Sequence, residues 1–354
     1  MDHFYLWRIL FQFLKFKDKL SFVVSCKSFQ ENLFIEDIDI RRQQIPDILD
    51  EISKHNIFKN VSIISVSRQC FNIDFLRNLK NLKKISSDVF LQKDILASVG
   101  LHNLYELNIT HTYWLTDVSY LTTLKKLNIT STAVTQNGIR NLDLIKLNVD
   151  DCRQITDVSF MTNLKKLSAK QWCGIDQFGI RGLNLIKLDV SYNNKIIDVS
   201  SMTNLKTLIA LSNEVIVQNS FRYLNLVELG IDYNSQITDI STMTNLKVLR
   251  ANHASPSQNS IANLDLYVYY AANNIGVIDV SHMKKLKILN ASGPFCWIDQ
   301  KGIRGLDLFE IDLSYNDKII DLSFMTNLKK LTISTQCKLS LDKIKQNCII
   351  TVKC

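Results

Sequence analysis

The sequence predicts an α/β solenoid, with a parallel β-sheet on its concave face, short helices or 3-10 turns on its convex face, and a small all-α segment at its N-terminus. Three observations predict it. A phrase typified by ITDVSFMTNLKKL (155–167) occurs six times, beginning at residues 115, 155, 196, 237, 277 and 319, so its copies start 40, 41, 41, 40 and 42 residues apart. A shorter pattern, L-x-x-L-x-[LIV], recurs every 20–22 residues. The 354 residues hold only 3 prolines and 10 glycines, too few to punctuate many independent loops and suited to one continuous repeating architecture. A fixed period of this length marks stacked units rather than chemistry, because a catalytic phrase is needed once.

The first 34 residues stand outside the repeat. Leu6, Ile9, Leu10, Phe13 and Leu14 follow helical spacing, KFKDK (15–19) interrupts it, and LSFVVSCKSFQENLF (20–34) begins a second helical stretch. The apolar run FYLWRILFQFLKF (4–16) is broken by Arg8, Gln12 and Lys15, which neither a signal peptide nor a membrane span tolerates, so the expectation is a cytoplasmic chain without leader or span.

From Ile35 to the C-terminus the chain is coils. Anchor leucines fall at Leu82, Leu104, Leu124, Leu144, Leu164, Leu185, Leu205, Leu226, Leu246, Leu266, Leu286, Leu308 and Leu328, with Val61 a substituted anchor upstream and IEDIDI (35–40) an atypical first unit. Within L-x-x-L-x-L the last two apolar residues alternate with a polar one, as in a short strand with one buried face. One such coil cannot bury its apolar side; stacked coils share a core. The ninth position, counting the anchor as one, often holds Asn (Asn193, Asn234, Asn274, Asn316), with Cys152 and Thr112 at equivalent places. An Asn amide can serve both the donors and the acceptors that a turn leaves inside, which predicts a ladder. Asp117, Asp157, Asp198, Asp239, Asp279 and Asp321 are each followed two places later by Ser, a pattern that caps short turns through backbone N–H groups. CIITVKC (348–354) predicts a final capping strand.

The coil pattern resembles the leucine-rich-repeat family, over about residues 35–354. Segments such as QNGIRNL (136–142) and DQFGIRGL (176–183) resemble the longer convex segment of the cysteine-containing members, which is often a short helix. Residues 1–34 resemble an F-box. Ile9, Leu10, Phe13 and Leu14 match its I-L-x-x-L helix, Asp18 and Leu20 its D-x-L step, and Val24, Cys26, Lys27 and Phe29 its V-C-K-x-[FW] helix, although the Leu-Pro that often opens the motif is absent. The Lys-, Asn- and Ile-rich composition resembles that of F-box proteins of giant DNA viruses of amoebae, which would place the chain in host cytoplasm. The resemblance implies docking on a Skp-type adaptor joined to a cullin scaffold through Leu6, Ile9, Leu10, Phe13, Leu14, Asp18, Leu20 and Val24, with the repeats (35–354) holding an unknown target protein for ubiquitin transfer. A helical cap shielding the open end of the core is the other reading of the same residues, and it makes the chain a plain interaction scaffold.

The concave face supplies the candidate target-binding residues. Its second position often holds Lys, including Lys165, Lys206 and Lys247, which is either a solvated edge that discourages aggregation or a strip for an acidic partner. Tyr192, Tyr233 and Tyr315 follow the strands and carry the apolar area and polar tip common in binding surfaces. Trp172, Phe295 and Trp297 interrupt two half-repeats, QWCGIDQ and PFCWIDQ, as buried plugs or as contacts. The net charge of +8 suits an acidic partner without demanding one, and the absence of a basic run argues against nucleic acid. Eight scattered cysteines without a CxxC pair read as free thiols in a reducing compartment, and six histidines supply no clustered zinc ligands, so no metal or cofactor is expected. No Gly-rich phosphate loop, HExxH or GxSxG is present, so the expectation is a binding protein rather than an enzyme.

Overall fold

The computed structural model describes residues 37–39, 61–66, 76, 78–87, 101, 103–335, 338–341, 344 and 348–353. The F-box-like segment, and with it every adaptor-binding candidate from Leu6 to Val24, lies outside these residues. The chain divides into two compact units, one ending at Leu164 and one beginning at Lys165.

The first unit contains β1 (Asp37–Asp39), β2 (Ile63–Val66), β3 (Lys84–Ser87), β4 (Glu106–Ile109), β5 (Lys126–Asn128) and β6 (Lys146–Asn148). Each is parallel to the next, with registers such as Leu107↔Leu127↔Leu147. The second unit contains β7 (Lys166–Ser168), β8 (Lys187–Asp189), β9 (Thr207–Ile209), β10 (Glu228–Gly230), β11 (Val248–Arg250), β12 (Val268–Tyr270), β13 (Ile288–Asn290), β14 (Glu310–Asp312), β15 (Lys330–Ser334) and β16 (Ile349–Lys353). These too pair in parallel in chain order. Sequence neighbours become spatial neighbours because each coil returns to its own start one strand spacing on.

The buried positions are those that the pattern predicts. Anchor leucines and the fourth and sixth residues of each coil, for example Leu124, Leu127 and Ile129, are buried. The recurring phrase carries a further apolar period of three: Ile155, Val158, Met161 and Leu164 are all buried. The cause is a chain that turns every third residue. The N–H groups of Ile155, Met161 and Leu164 donate to the carbonyls of Cys152, Val158 and Met161, at 3.3, 3.0 and 2.9 Å. Three residues per turn eclipses every third side chain and aims it at the core.

Side chains tie each turn to itself and to its neighbour. In all six phrases the Asp Oδ1 accepts the N–H of the Ser two residues on, at 2.8–2.9 Å. No regular helix forms there; the Asp closes a turn, as expected of a residue that competes with helical hydrogen bonds. The alternate coils carry three-residue 3-10 turns at Asn137–Ile139, Phe178–Ile180 and Gln218–Ser220 and one α-helical turn at Gln258–Ile261. Their glutamines reach the following phrase. Gln177 Oε1 accepts the N–H groups of Ile197 and Asp198, and its Nε2 donates to Asp198 O. Gln136, Gln258 and Gln300 repeat this three-bond staple.

The Asn ladder forms in the second unit. Asn213 Nδ2 donates to Asn193 O at 2.7 Å and Asn234 Nδ2 to Asn213 O at 2.6 Å, with all three side chains buried. Asn274 and Asn316 accept N–H groups of their own turns through Oδ1 and donate from Nδ2 to Ala251 O and Ala291 O of the coil before. Cys152 takes the place of Asn by donating Sγ–H to Ile129 O. No helix among the described residues is long and apolar enough to cross a membrane.

Candidate binding surface

The eighth residue of each coil from Leu104 to Leu308 has positive φ. In most of these coils the N–H points along the stack into the seventh carbonyl of the next, as from Tyr192 to Leu211 O at 2.9 Å and from Tyr233 to Asn252 O at 2.9 Å, whereas that of Tyr315 donates to Ser334 Oγ at 3.3 Å. Glycine suits this conformation, and only Gly293 supplies it. Tyr192, Tyr233 and Tyr315 adopt φ near 60° with their side chains about half exposed. A left-handed residue bearing a Cβ costs roughly 1 kcal/mol, and the packing of the coil does not require the phenol. Tyr233 stacks on His253 with ring centroids 4.6 Å apart, and Asn273 lies 3.2 Å from His253 Nε2. Tyr233, His253 and Asn273 thus form a connected edge along three successive coils.

Inside that edge, the strand residues at positions three and five face away from the core. The fifth residue usually has a structural duty: Asn148, Asp189, Asn290 and Asp312 each accept the N–H two residues on, at 2.9–3.1 Å, and so end the strand. Four consecutive coils depart from this, carrying Ile209, Gly230, Arg250 and Tyr270. The seventh residue of the preceding coil takes over the duty. Ser191 Oγ accepts from Leu211 N, Asp232 Oδ1 from Asn252 N and Asn252 Oδ1 from Ala272 N, at 3.2, 2.8 and 2.8 Å. Arg250 is thereby free to lie over the Tyr270 ring, 4.9 Å from its centroid. Asp232 is held above the ordinary carboxylate range, because burial outweighs its bond to Asn252 and the nearby Arg250 and His253.

At the third position the same region turns apolar. Val248, Val268 and Ile288 stand directly opposite one another on β11, β12 and β13, half-buried on the outward face. Tyr267, one residue before Val268, is exposed, and so are Ile186, Val227 and Phe309 at the equivalent place in alternate coils. The outcome is an apolar window about three strands wide, edged by Arg250, Tyr270, Tyr233 and His253. Tyr and Arg beside aliphatic area is the composition of binding hot spots.

The lysines predicted beside this surface divide. Lys206 Nζ donates to Asn225 O and Lys247 Nζ to Asp265 O, at 3.2 and 3.4 Å, so both staple adjacent coils. The ammonium of Lys165 has no such bond among the described residues. Trp172, Phe295 and Trp297 are 67, 66 and 51% exposed, while Cys173 and Cys296 beside them are buried free thiols. The cysteines therefore take the core place in these half-repeats, and the aromatics face outward. Among the described residues no group of three His, Cys, Asp or Glu side chains is placed to hold a metal.

Sequence reasoning named the tyrosines as candidates and did not name Val248, Val268, Ile288, Arg250 or Tyr270. The signal was present as departure from the column: aliphatic residues where Lys or Glu is usual, and non-Asx residues where Asn or Asp is usual.

No protein-family model matches the sequence, and no curated protein matches it. Several solved structures resemble the fold. The functional domain of InlJ from Listeria monocytogenes, described as including a cysteine ladder, is 19% identical with a TM-score of 0.47, over 76% of this chain and 67% of that one. A leucine-rich-repeat protein of Leptospira interrogans is 14% identical with a TM-score of 0.41, over 91% of this chain and 97% of that one. A yeast complex of Rad7 and Elc1 matches at 12% identity with a TM-score of 0.46, over 87% of each chain. On the geometry of its own coils, with short parallel strands, buried anchor leucines and an Asn ladder at the ninth position, this chain folds as a leucine-rich-repeat solenoid.

Proposed function

We propose that the chain is a non-enzymatic protein-binding repeat that serves as the substrate-recognition subunit of a cullin-type, SCF-like ubiquitin ligase. The observation that carries the binding half is the outward face of β11–β13, where Val248, Val268 and Ile288 stand at a position that elsewhere mostly holds Lys or Glu, and Arg250 and Tyr270 at one where Asn or Asp otherwise often closes the strand. A solenoid holds its frame with buried positions and leaves its outward face to vary, so specificity lies in such departures. The ligase half rests on the F-box-like residues Ile9, Leu10, Phe13, Leu14, Asp18 and Leu20. In this role the chain breaks no bond; it raises the effective concentration of a target near the ubiquitin-carrying enzyme. The reading places it in the cytoplasm, where the buried free thiols Cys152, Cys173 and Cys296 stay reduced.

The test is co-purification. The full chain, and a variant carrying Leu10→Asp and Leu14→Asp, are each expressed with a Skp-type adaptor and a cullin. Retention of the adaptor by the unsubstituted chain alone, with equal circular dichroism spectra for both, supports the ligase reading. Retention by neither folded chain sinks it and leaves a capped interaction scaffold.

A further inference from the structure

The outward face of the second unit is chemically divided along the third position of its strands. At one end, Lys166 on β7 and Lys187 on β8 are direct cross-strand partners. Neither ammonium has an ion pair or hydrogen bond among the described residues. Like charges directly opposite one another destabilise a sheet. Elsewhere at this position a carboxylate intervenes, even where Lys126 on β5 directly faces Lys146 on β6. Glu106 takes Lys84 at 2.9 Å and Lys126 at 3.5 Å, and Glu310 takes Lys330 at 2.7 Å. Partial burial pushes Glu106 up, yet its two lysines more than offset this and hold its carboxyl below the ordinary range. The exposed Lys166–Lys187 pair is left with its attraction for carboxylates unspent. Four strands beyond β8, on β12, lies Val268 at the centre of the apolar window.

We infer that this face takes a linear acidic segment of a partner protein, with carboxylates over Lys166 and Lys187 and an aromatic or branched aliphatic anchor over Val248, Val268 and Ile288. The inference deepens the protein-binding reading above and rests on it. The geometry sets the spacing. Four strand spacings of ~4.8 Å separate Lys187 from Val268 by about 19 Å. An extended chain advancing ~3.4 Å per residue covers that in about six residues. The carboxylates supply register and association rate, and the anchor supplies residence time. The overall charge of +8 favours the approach of such a segment.

The test uses the full chain, immobilised, and a display library of random 16-residue peptides. The expected result is enrichment of peptides with two or more Asp or Glu residues about six positions from an aromatic or branched aliphatic residue. A synthetic representative should lose at least about tenfold in affinity for a chain carrying Lys166→Glu and Lys187→Glu, and about as much for Val268→Ser. Selection repeated on the Lys166→Glu, Lys187→Glu chain should return Lys- or Arg-bearing peptides with the same anchor. Circular dichroism melts check each chain, and Lys166→Ser with Lys187→Ser replaces the charge reversal if that variant does not fold. Enriched peptides without acidic residues, or binding unmoved by the lysine substitutions but lost with Val268→Ser, overturn the acidic inference and leave the binding surface standing. Binding unmoved by any of these substitutions, or no enrichment over the bare support, overturns the site. Adaptor retention is read separately on the same preparations, so failure of the ligase reading leaves this outcome untouched.

Discussion

Tyr192 holds a φ of 60° to aim its N–H at Leu211 O, and its exposed ring takes no part in that bond. Tyr192→Gly removes the Cβ strain and should raise the unfolding free energy by about 1 kcal/mol in urea titration, even though it removes a candidate contact. Tyr269 shows a different conflict. It occupies the fourth, leucine-type position of its coil, fully buried, and its hydroxyl has no hydrogen-bond partner among the described residues. Burial pushes its phenol far up in pKa, so it stays neutral and unpartnered. Tyr269→Phe should therefore stabilise the chain by roughly 1 kcal/mol, since it deletes a buried unsatisfied group and leaves the ring packing. Asp232 is raised above its ordinary 3.8 by burial. Its folded form binds a proton more readily than the unfolded chain, so its contribution to stability falls as pH rises from the unfolded pKa through the folded one. Asp232→Asn keeps an oxygen for Asn252 N–H and should flatten this slope. Melting temperatures measured from pH 3.5 to 7 would then show the variant gaining on the parent as pH rises.

At the scale of the coil, three devices do different work. The Asn ladder is buried, so its removal leaves carbonyls and N–H groups with no water to replace the amide. Asn213→Ala should cost about 2–3 kcal/mol by denaturant unfolding, whereas Gln177→Ala, which breaks exposed bonds that water can replace, should cost at most about 1. The close approach of coils is the third device. A Cβ on Gly302 would overlap Ile278 O, so Gly302→Ala should destabilise by about 1–3 kcal/mol through overpacking. Where other coils hold serine at this place the backbone leaves room, and Ser220 Oγ donates to Ile197 O at 2.7 Å.

At the scale of the chain, the unit of construction is a pair of coils. Lysine and apolar residues alternate at the second position, and glutamine staples occur once per pair. Excision of residues 205–245, one full pair, keeps a lysine coil after an apolar one. Excision of residues 205–225 alone sets two apolar coils side by side, Ile186 next to Val227, with no lysine between them. Because a solenoid's stability sums over coils and their interfaces, the longer deletion should melt at the higher temperature of the two.

Much of this was legible before any coordinates. Apolar residues recurring every 20–22 positions name the anchors, and alternation within L-x-x-L-x-L names the buried strand face, because both are local rules repeated along the chain. The turn-closing aspartates and the ladder position were equally plain, since each acts on backbone within a few residues or at the same place in the neighbouring coil. The rest required the fold. Gln177 reaches a turn 20 residues on, and the left-handed eighth residue exists to serve a carbonyl 19 residues away. Val248, Val268 and Ile288 become one surface only when three strands register side by side. Periodicity is written in short-range spacing and can be read from the chain alone; the candidate surface is made by residues about 20 apart that meet through stacking, and only tertiary structure brings them together.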